Sequence, residues 1–348
     1  MNASIALLLS QDGLTNGMIY ALLAIAILLV FLVTRVLLVP QGEFVVIGAV
    51  TLAQLQRGEF ASALWLLMAL SALSILIEAM RSWRAQRWRP WLFQTGFCLL
   101  APAIAALLAL LSSRATPLPL QLITVLCIVA PMGPMLYWIA FRGISHSSIL
   151  TLLFAAVAVH YVLQGLLLPL IGPESFRLEP FVQGRIDIGV TRVSLQLILV
   201  TCAFGTLVAA LGLFFRFGMP GKVLRATSVN RIGARLVGIS PHLSGATAFG
   251  LASLIGAISG ILIAPLTTIY YDSGFLLALK GFVGAVVGGL ASFALVAMGS
   301  LLVGLLESFA SFYASALKES LVFAALIPIL LYMSIAQLSG RGGEEHEE

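Results

Sequence analysis

Leu195-Gln-Leu-Ile-Leu-Val-Thr-Cys-Ala-Phe-Gly-Thr-Leu-Val-Ala-Ala-Leu-Gly-Leu-Phe-Phe215 runs for 21 residues without a charge. Wound as a helix, at about 1.5 Å per residue, such a run crosses the roughly 30 Å hydrocarbon core of a bilayer. A membrane β-strand would instead alternate polar and apolar residues over about ten positions, and no such alternation is present. Leu243–Pro265 is a second uncharged run of the same kind. In hydrocarbon every backbone N–H and C=O must be paired inside the chain, and a helix does this within a single segment. These runs point to an all-α polytopic integral membrane protein and against a closed barrel.

Composition agrees. Of the 348 residues 60% are apolar and 9% charged, with a mean hydropathy of +1.08. A soluble domain carries about 25% charge, which this chain cannot supply to a water-facing surface. Eleven candidate spans are read at about 14–33, 36–55, 61–79, 92–111, 119–140, 147–171, 194–215, 242–265, 275–291, 293–312 and 319–337. Segment 36–55 contains Pro40, Gln41 and Glu43, and segment 275–291 is short, Gly-rich and carries Lys280, so both are candidates for broken or re-entrant segments. Met1–Ser10 lacks a basic leading region, so no cleavable signal peptide is expected. Cys98, Cys127 and Cys202 lie in apolar runs and read as small buried hydrophobes.

Basic residues between spans set orientation. The richest loop runs from Arg81 to Arg89, and a second carries Arg216, Lys222, Arg225, Arg231 and Arg235. With eleven alternating spans both loops fall on the cytoplasmic side, joined by Arg35, Arg142 and Arg341. This places 12 basic residues inside against 6 outside, with Lys280 uncounted. The N-terminus is then periplasmic and the C-terminus cytoplasmic. Gly172–Arg192 is the largest outer loop, and 339–348 reads as a polar cytoplasmic tail. A net charge of +5 is explained by these loops and implies no nucleic acid.

No catalytic signature is found. Gly221-Lys222 is followed by Val223 and is not a nucleotide-binding loop, and no Gly-x-Ser-x-Gly elbow occurs. His146, His160, His242 and His346 are scattered, without metal-ligand spacing, so neither metal nor cofactor is expected. The chain is read as no enzyme. Among acidic residues near spans, Glu78 and Asp272 sit beside interface residues, which leaves Glu43 and Glu307 as intramembrane candidates. Two carboxylates make a thin case for the alternative reading, an ion-coupled secondary transporter.

Two segments interrupt the apolar pattern. Pro40-Gln41-Gly42-Glu43 reads either as an unwound stretch lining a translocation path, with Glu307 a further candidate for that path, or as a packed kink. Between Gly221 and Pro241, Val229, Ile232, Leu236 and Ile239 fall on one face of a helix, and Asn230, Ala234 and Gly238 on a small-residue face. Gly238 suits a helix end, and Ser240-Pro241 suits the start of the next span. Such an amphipathic helix can dock into a groove on a partner or lie on the bilayer, and the residues alone leave both open. Gly256/Gly260 and Gly284/Gly288 read as helix-packing pairs.

Arg225-Ala226, Asn230, Ala234 and Gly238-Ile239 resemble the cytoplasmic loop of the branched-chain amino acid permease family of bacterial ABC importers. Gly13–Leu22 with Gly42-Glu-Phe44 and Gly48-Ala49, and Gly256–Gly260 with Leu279–Phe282 and Val286–Leu290, are similar to that family's first spans and its Gly-rich final third. The resemblance covers about 13–56 and 119–338. It implies a single permease domain over 1–338, with a two-span insertion at 57–118 and a coupling segment at 216–241. It also implies cytoplasmic ATP-binding subunits contacting Arg225, Ala226, Asn230, Ala234, Gly238 and Ile239. A second permease subunit (a homologous chain or a second copy), a periplasmic solute-binding protein and an inner-membrane location complete the expectation, with a branched-chain or other small amino acid, or a related solute, as cargo. The chain departs from the family where Leu38-Val-Pro-Gln41 stands in place of Asn-Phe-Ala-His before the Gly-Glu pair.

Overall fold

Apolar runs bounded by Gly, Pro and Ser become helices throughout a computed structural model that describes residues 3–85, 89–112, 116–188, 191–324 and 326–331. The 339–348 tail lies outside the described residues. The helices are α1 (Ala3–Thr34), α2 (Gln41–Arg57), α3 (Ala63–Ala85), α4 (Arg89–Leu111), α5 (Leu118–Val129) and α6 (Met132–Leu136). α6 runs on through a π turn, Tyr137–Phe141, and a 3-10 turn, Arg142–Ile144. There follow α7 (Ile149–Ile171), a hairpin of β1 (Arg185–Ile188) and β2 (Thr191–Ser194), α8 (Leu195–Phe217), α9 (Met219–Val229) and α10 (Arg231–Leu236). The last are α11 (Pro241–Ile263), α12 (Ser273–Val287), α13 (Phe293–Tyr313) and α14 (Lys318–Ala324).

Among the described residues eight helical stretches are long and apolar enough to cross a membrane, those of α1, α3, α4, α5–α6, α7, α8, α11 and α13. The other three segments read as spans are shorter as described. α2 has 17 residues, α12 has 15, and α14 ends at Ala324. The hairpin, with Arg185 opposite Ser194 and Ile188 opposite Thr191, stands within the Gly172–Arg192 loop and its margin.

The chain divides into two compact units, one of 1–28, 182–205 and 279–348 and one of 29–181 and 206–278. In the first, α13 packs on α1 through glycine. A Cβ at Gly304 would strike the Gly17 backbone, and one at Gly13 would meet Leu305 Cα at 2.8 Å. Gly284 and Gly288 of α12 receive Ser300 and Val296 of α13, so this pair serves close helix approach.

In the second unit α2 lies against α11, with Gly260 facing the Val45 carbonyl and Gly48 facing Ala257. α3 and α4 form an antiparallel pair, in which Ser71 Oγ donates to Cys98 O and Gln94 Nε2 to Ser74 Oγ at 3.2 Å. This unit has two distinguishable ends. At one, Arg57 stacks on Phe176, Phe176 bridges Ile269, and Leu178 N donates to Ala264 O. At the other, Arg231 reaches Val33, Arg81 reaches Trp138 O, and Arg142 pairs with Glu78 at 2.8 Å. α8, which passes through both units, has only 6% of its most apolar stretch buried, a surface suited to lipid.

Candidate functional site

Proline fixes φ and has no N–H to lose, so it opens a helix readily. Pro40 does so at φ −65°, and Gln41, Gly42 and Glu43 form the first turn of α2. The expectation of an unwound Pro40–Glu43 is corrected: the irregular backbone is Arg35–Pro40, where Arg35 takes φ 63°. Gln41 Nε2 donates to Ala252 O at 2.9 Å, midway along α11, so α2 starts halfway along a candidate span. The start of α12 meets it there. A Cβ on Gly42 would overlap the Gly274 carbonyl, and one on Gly274 would sit 2.8 Å from Glu43 Oε1.

Glu43 is fully buried. His160 of α7, also buried, places Nδ1 2.9 Å from Glu43 Oε1 and stacks on Phe275 at 5.1 Å between ring centroids. Glu43 Oε1 and Oε2, His160 Nδ1 and Gln41 Oε1 have no partner of hydrogen-bond geometry among the described residues, so the acid and the imidazole meet as a close contact. The arrangement is a desolvated acid–imidazole pair beside two helix N-termini. His160 carried no motif in the sequence, because its partner lies 117 positions away and a lone histidine on an apolar helix has no local signature.

In the other unit Glu307 is held on both oxygens. Tyr20 Oη donates to Oε2 at 2.7 Å and Lys280 Nζ to Oε1 at 2.6 Å. Lys280 also reaches Glu319 Oε1 at 3.3 Å and lies 5.8 Å from the Tyr20 ring centroid. Glu307 is therefore placed as a partnered interhelical residue. In the sequence Lys280 reads only as an intrusion into an apolar segment.

The segment between α8 and α11 is not one amphipathic helix. It breaks at Asn230, whose backbone is extended (φ −149°, ψ 103°) and whose side chain accepts from Gly233 N at 2.9 Å. Asparagine is a strong N-cap, and capping α10 outweighs continuing α9. α10 closes in a Schellman arrangement. Gly238, at φ 84°, donates N–H to Arg235 O, and Ile239 N–H goes to Ala234 O. Of the six coupling candidates Arg225, Ala226, Asn230 and Gly238 are exposed, Ile239 is half-buried and Ala234 is buried. The apolar residues left outward are Val229, Ile232, Leu236 and Val237. Arg231 Nη2 donates to Val33 O at 2.6 Å, and burial draws its guanidinium below the usual range. Among the described residues no group of three His, Cys, Asp or Glu could hold a metal.

A family model described as branched-chain amino acid transport system, permease component, matches residues 93–332. The chain belongs to this family. The permease protein LivH of the high-affinity branched-chain amino acid transport system of Escherichia coli K12 is 27% identical over 203 residues, 56% of this chain and 66% of the relative. The Salmonella typhimurium LivH gives the same values. The corresponding permease protein BraD of Pseudomonas aeruginosa is 28% identical over 154 residues, 44% of this chain and 50% of the relative. The chain thus covers 66% of the LivH proteins and half of BraD. No solved structure matches. The family match takes in most of α4 and all of α5 to α14, including His160, the α9–α10 segment and the Lys280–Glu307 pair.

Proposed function

We propose that this chain is a transmembrane permease subunit of an ATP-binding-cassette importer in a bacterial inner membrane. It forms the translocation path for a branched-chain or other small amino acid or a related small solute. Membership of the permease-component family carries this reading. The α9–α10 segment supports it: a polar interruption between two long apolar helices leaves Val229, Ile232 and Leu236 outward, where a cytoplasmic partner can cover them. In this reading two ATP-binding subunits dock on that segment, with Arg225, Ala226, Asn230, Gly238 and Ile239 at the contact and Ala234 supporting it from beneath. A second permease subunit and a periplasmic solute-binding protein complete the assembly, with the N-terminus periplasmic and the C-terminus cytoplasmic. All eleven apolar segments are membrane-embedded, α2 and α12 as partial crossings.

In this reading Gln41, Gly42 and Glu43, in the first turn of the 17-residue α2, lie beside the path. Broken helices are tolerated at membrane depth where they are packed in protein or line a cavity, and their N-termini favour anionic groups such as a carboxylate. Glu307 would act through Lys280, holding α12 in place. The buried Glu43–His160 and Lys280–Glu307 pairs give the ion-coupled alternative its one structural support.

Uptake by proteoliposomes holding the chain with its cognate ATPases and second permease separates the two. The proposal expects leucine or a related solute to accumulate when ATP is supplied, and to continue accumulating after ionophores collapse ion gradients. Replacing Ile232 and Leu236 together with Asp should abolish ATPase co-purification while insertion stays normal. Uptake that ignores ATP and stops with the ion gradient would overturn the importer reading.

A further inference from the structure

A cavity of about 300 Å³ opens where three candidate spans end together, those of α1, α5–α6 and α11. Its apolar wall includes Val33, Val36, Phe141 and Ile232. Its polar lining is Arg231, Arg235, His146, His242, Tyr137 and Ser145, together with Thr34, and no carboxylate is among them. Glu78 of α3, which packs against the Tyr137–Phe141 turn, is already paired with Arg142 at 2.8 Å and lies 3.9 Å from Arg81. Neither Arg231 nor Arg235 has a carboxylate within salt-bridge distance among the described residues. Arg231 donates to Val33 O, and Tyr137 Oη lies 3.5 Å from His242 Nδ1.

The local charge is therefore one-signed. Arg35 adds to it beside Arg231, and Arg142 beside His242. Uncompensated cations around a partly apolar concavity cost free energy unless an anion enters. The ends of spans lie at headgroup depth, where the negative groups are lipid phosphates. Free phosphate offers the same charge; Val33, Val36 and Phe141 are already buried, so it is the depth of the span ends that favours the lipid.

We infer that this cavity binds the phosphate of an anionic phospholipid. Arg235 and His146 are exposed at the rim and take the phosphate oxygens, while Arg231 stays anchored to Val33 and supplies charge from below. A lipid seated there would brace α10 against the end of α1 and so tune the segment that faces the partner subunits.

The test needs no transport, so its failure is distinct from failure of the importer reading. The detergent-purified full chain is titrated with dioleoyl phosphatidylglycerol, dioleoyl phosphatidylcholine or inorganic phosphate, and retained lipid is read by native mass spectrometry beside the thermal midpoint. Phosphatidylglycerol should be retained in preference to phosphatidylcholine. Arg235→Gln should weaken it roughly fivefold, the equivalent of about 1 kcal/mol for one basic group at a membrane surface. Adding His146→Gln should weaken it further, and Arg177→Gln, exposed at the opposite end, should change nothing. Equal retention of the two lipids, or an Arg235→Gln chain that binds phosphatidylglycerol as the parent does, overturns the inference. Inorganic phosphate raising the midpoint as much as the anionic lipid would assign the site to free phosphate and overturn the lipid assignment.

Discussion

A buried lysine and a buried glutamate are each costly alone, and α12 and α13 keep theirs by pairing them. Lys280 is 7% exposed and Glu307 8%, at a contact of 2.6 Å, with Tyr20 completing the carboxylate. Removing one partner of such a pair strands the other charge and costs about 3–5 kcal/mol, whereas replacing both by apolar groups is close to neutral. Lys280→Met should therefore lower the thermal midpoint of the detergent-solubilised chain sharply, and Lys280→Met with Glu307→Leu should recover most of the loss. A double variant as unstable as the single one would show that charge pairing is not what holds these helices. Glu43 and His160 make a second buried contact between titratable groups, at 2.9 Å. The resemblance set a histidine just before the Gly-Glu pair; this chain has Gln41 there and brings an imidazole from α7 instead. The carboxylates were legible as rare charges in apolar sequence, but their partners were not. Pairing across 117 or 27 positions is a product of packing and leaves no periodic trace.

At the scale of the element, length and hydropathy read the eight long helices correctly, because hydrocarbon admits little else. Local competition decided the rest. Asn230 carried both a place on a small-residue face and an N-cap propensity, and capping won. The sequence marked 36–55 as interrupted, yet the interruption ends at Pro40, three residues before Glu43, since Pro40 starts the helix. What fixes α2 in depth is Gly42, whose missing Cβ lets the α12 start approach. Gly42→Ala would drive a methyl into the Gly274 carbonyl, and Gly260→Ala one into the Val45 carbonyl. Overpacking against backbone has no flexible side chain to yield, so each should cost at least about 1–3 kcal/mol. Gly165→Ala, with open space around it, should stay within about 1 kcal/mol of the parent. Thermal unfolding of the three variants distinguishes a packing role from a permissive one; equal midpoints would refute the close approach of α2 and α12.

Across the whole molecule the charge count and the fold can be set against each other. The sequence assigned Arg35, the Arg81 loop, Arg142 and the Arg231–Arg235 segment to one side by alternation of spans. In the larger unit Arg81, Arg142 and Arg231 gather at one end, through Arg231 to Val33, Arg81 to Trp138 and Arg142 to Glu78. The opposite end holds Arg57, Phe176 and Ile269, with Glu174 and Glu179 nearby in the chain. Under the proposed orientation the positive-inside rule puts the first end in the cytoplasm. A miscounted span between the basic loops would have split them, so their convergence supports the even number of crossings that separates them. Single cysteines test the orientation in a background where Cys98, Cys127 and Cys202 are replaced. A cysteine at exposed Glu179 should react with a membrane-impermeant maleimide in intact spheroplasts, and one at exposed Ser147 only after the membrane is opened. The reverse pattern would invert the assignment and move the α9–α10 segment, with its outward Ile232 and Leu236, away from any cytoplasmic ATPase. Labelling of both from outside would mean that an odd number of crossings has been misplaced between residues 147 and 179, where α7 is the one long apolar helix among the described residues.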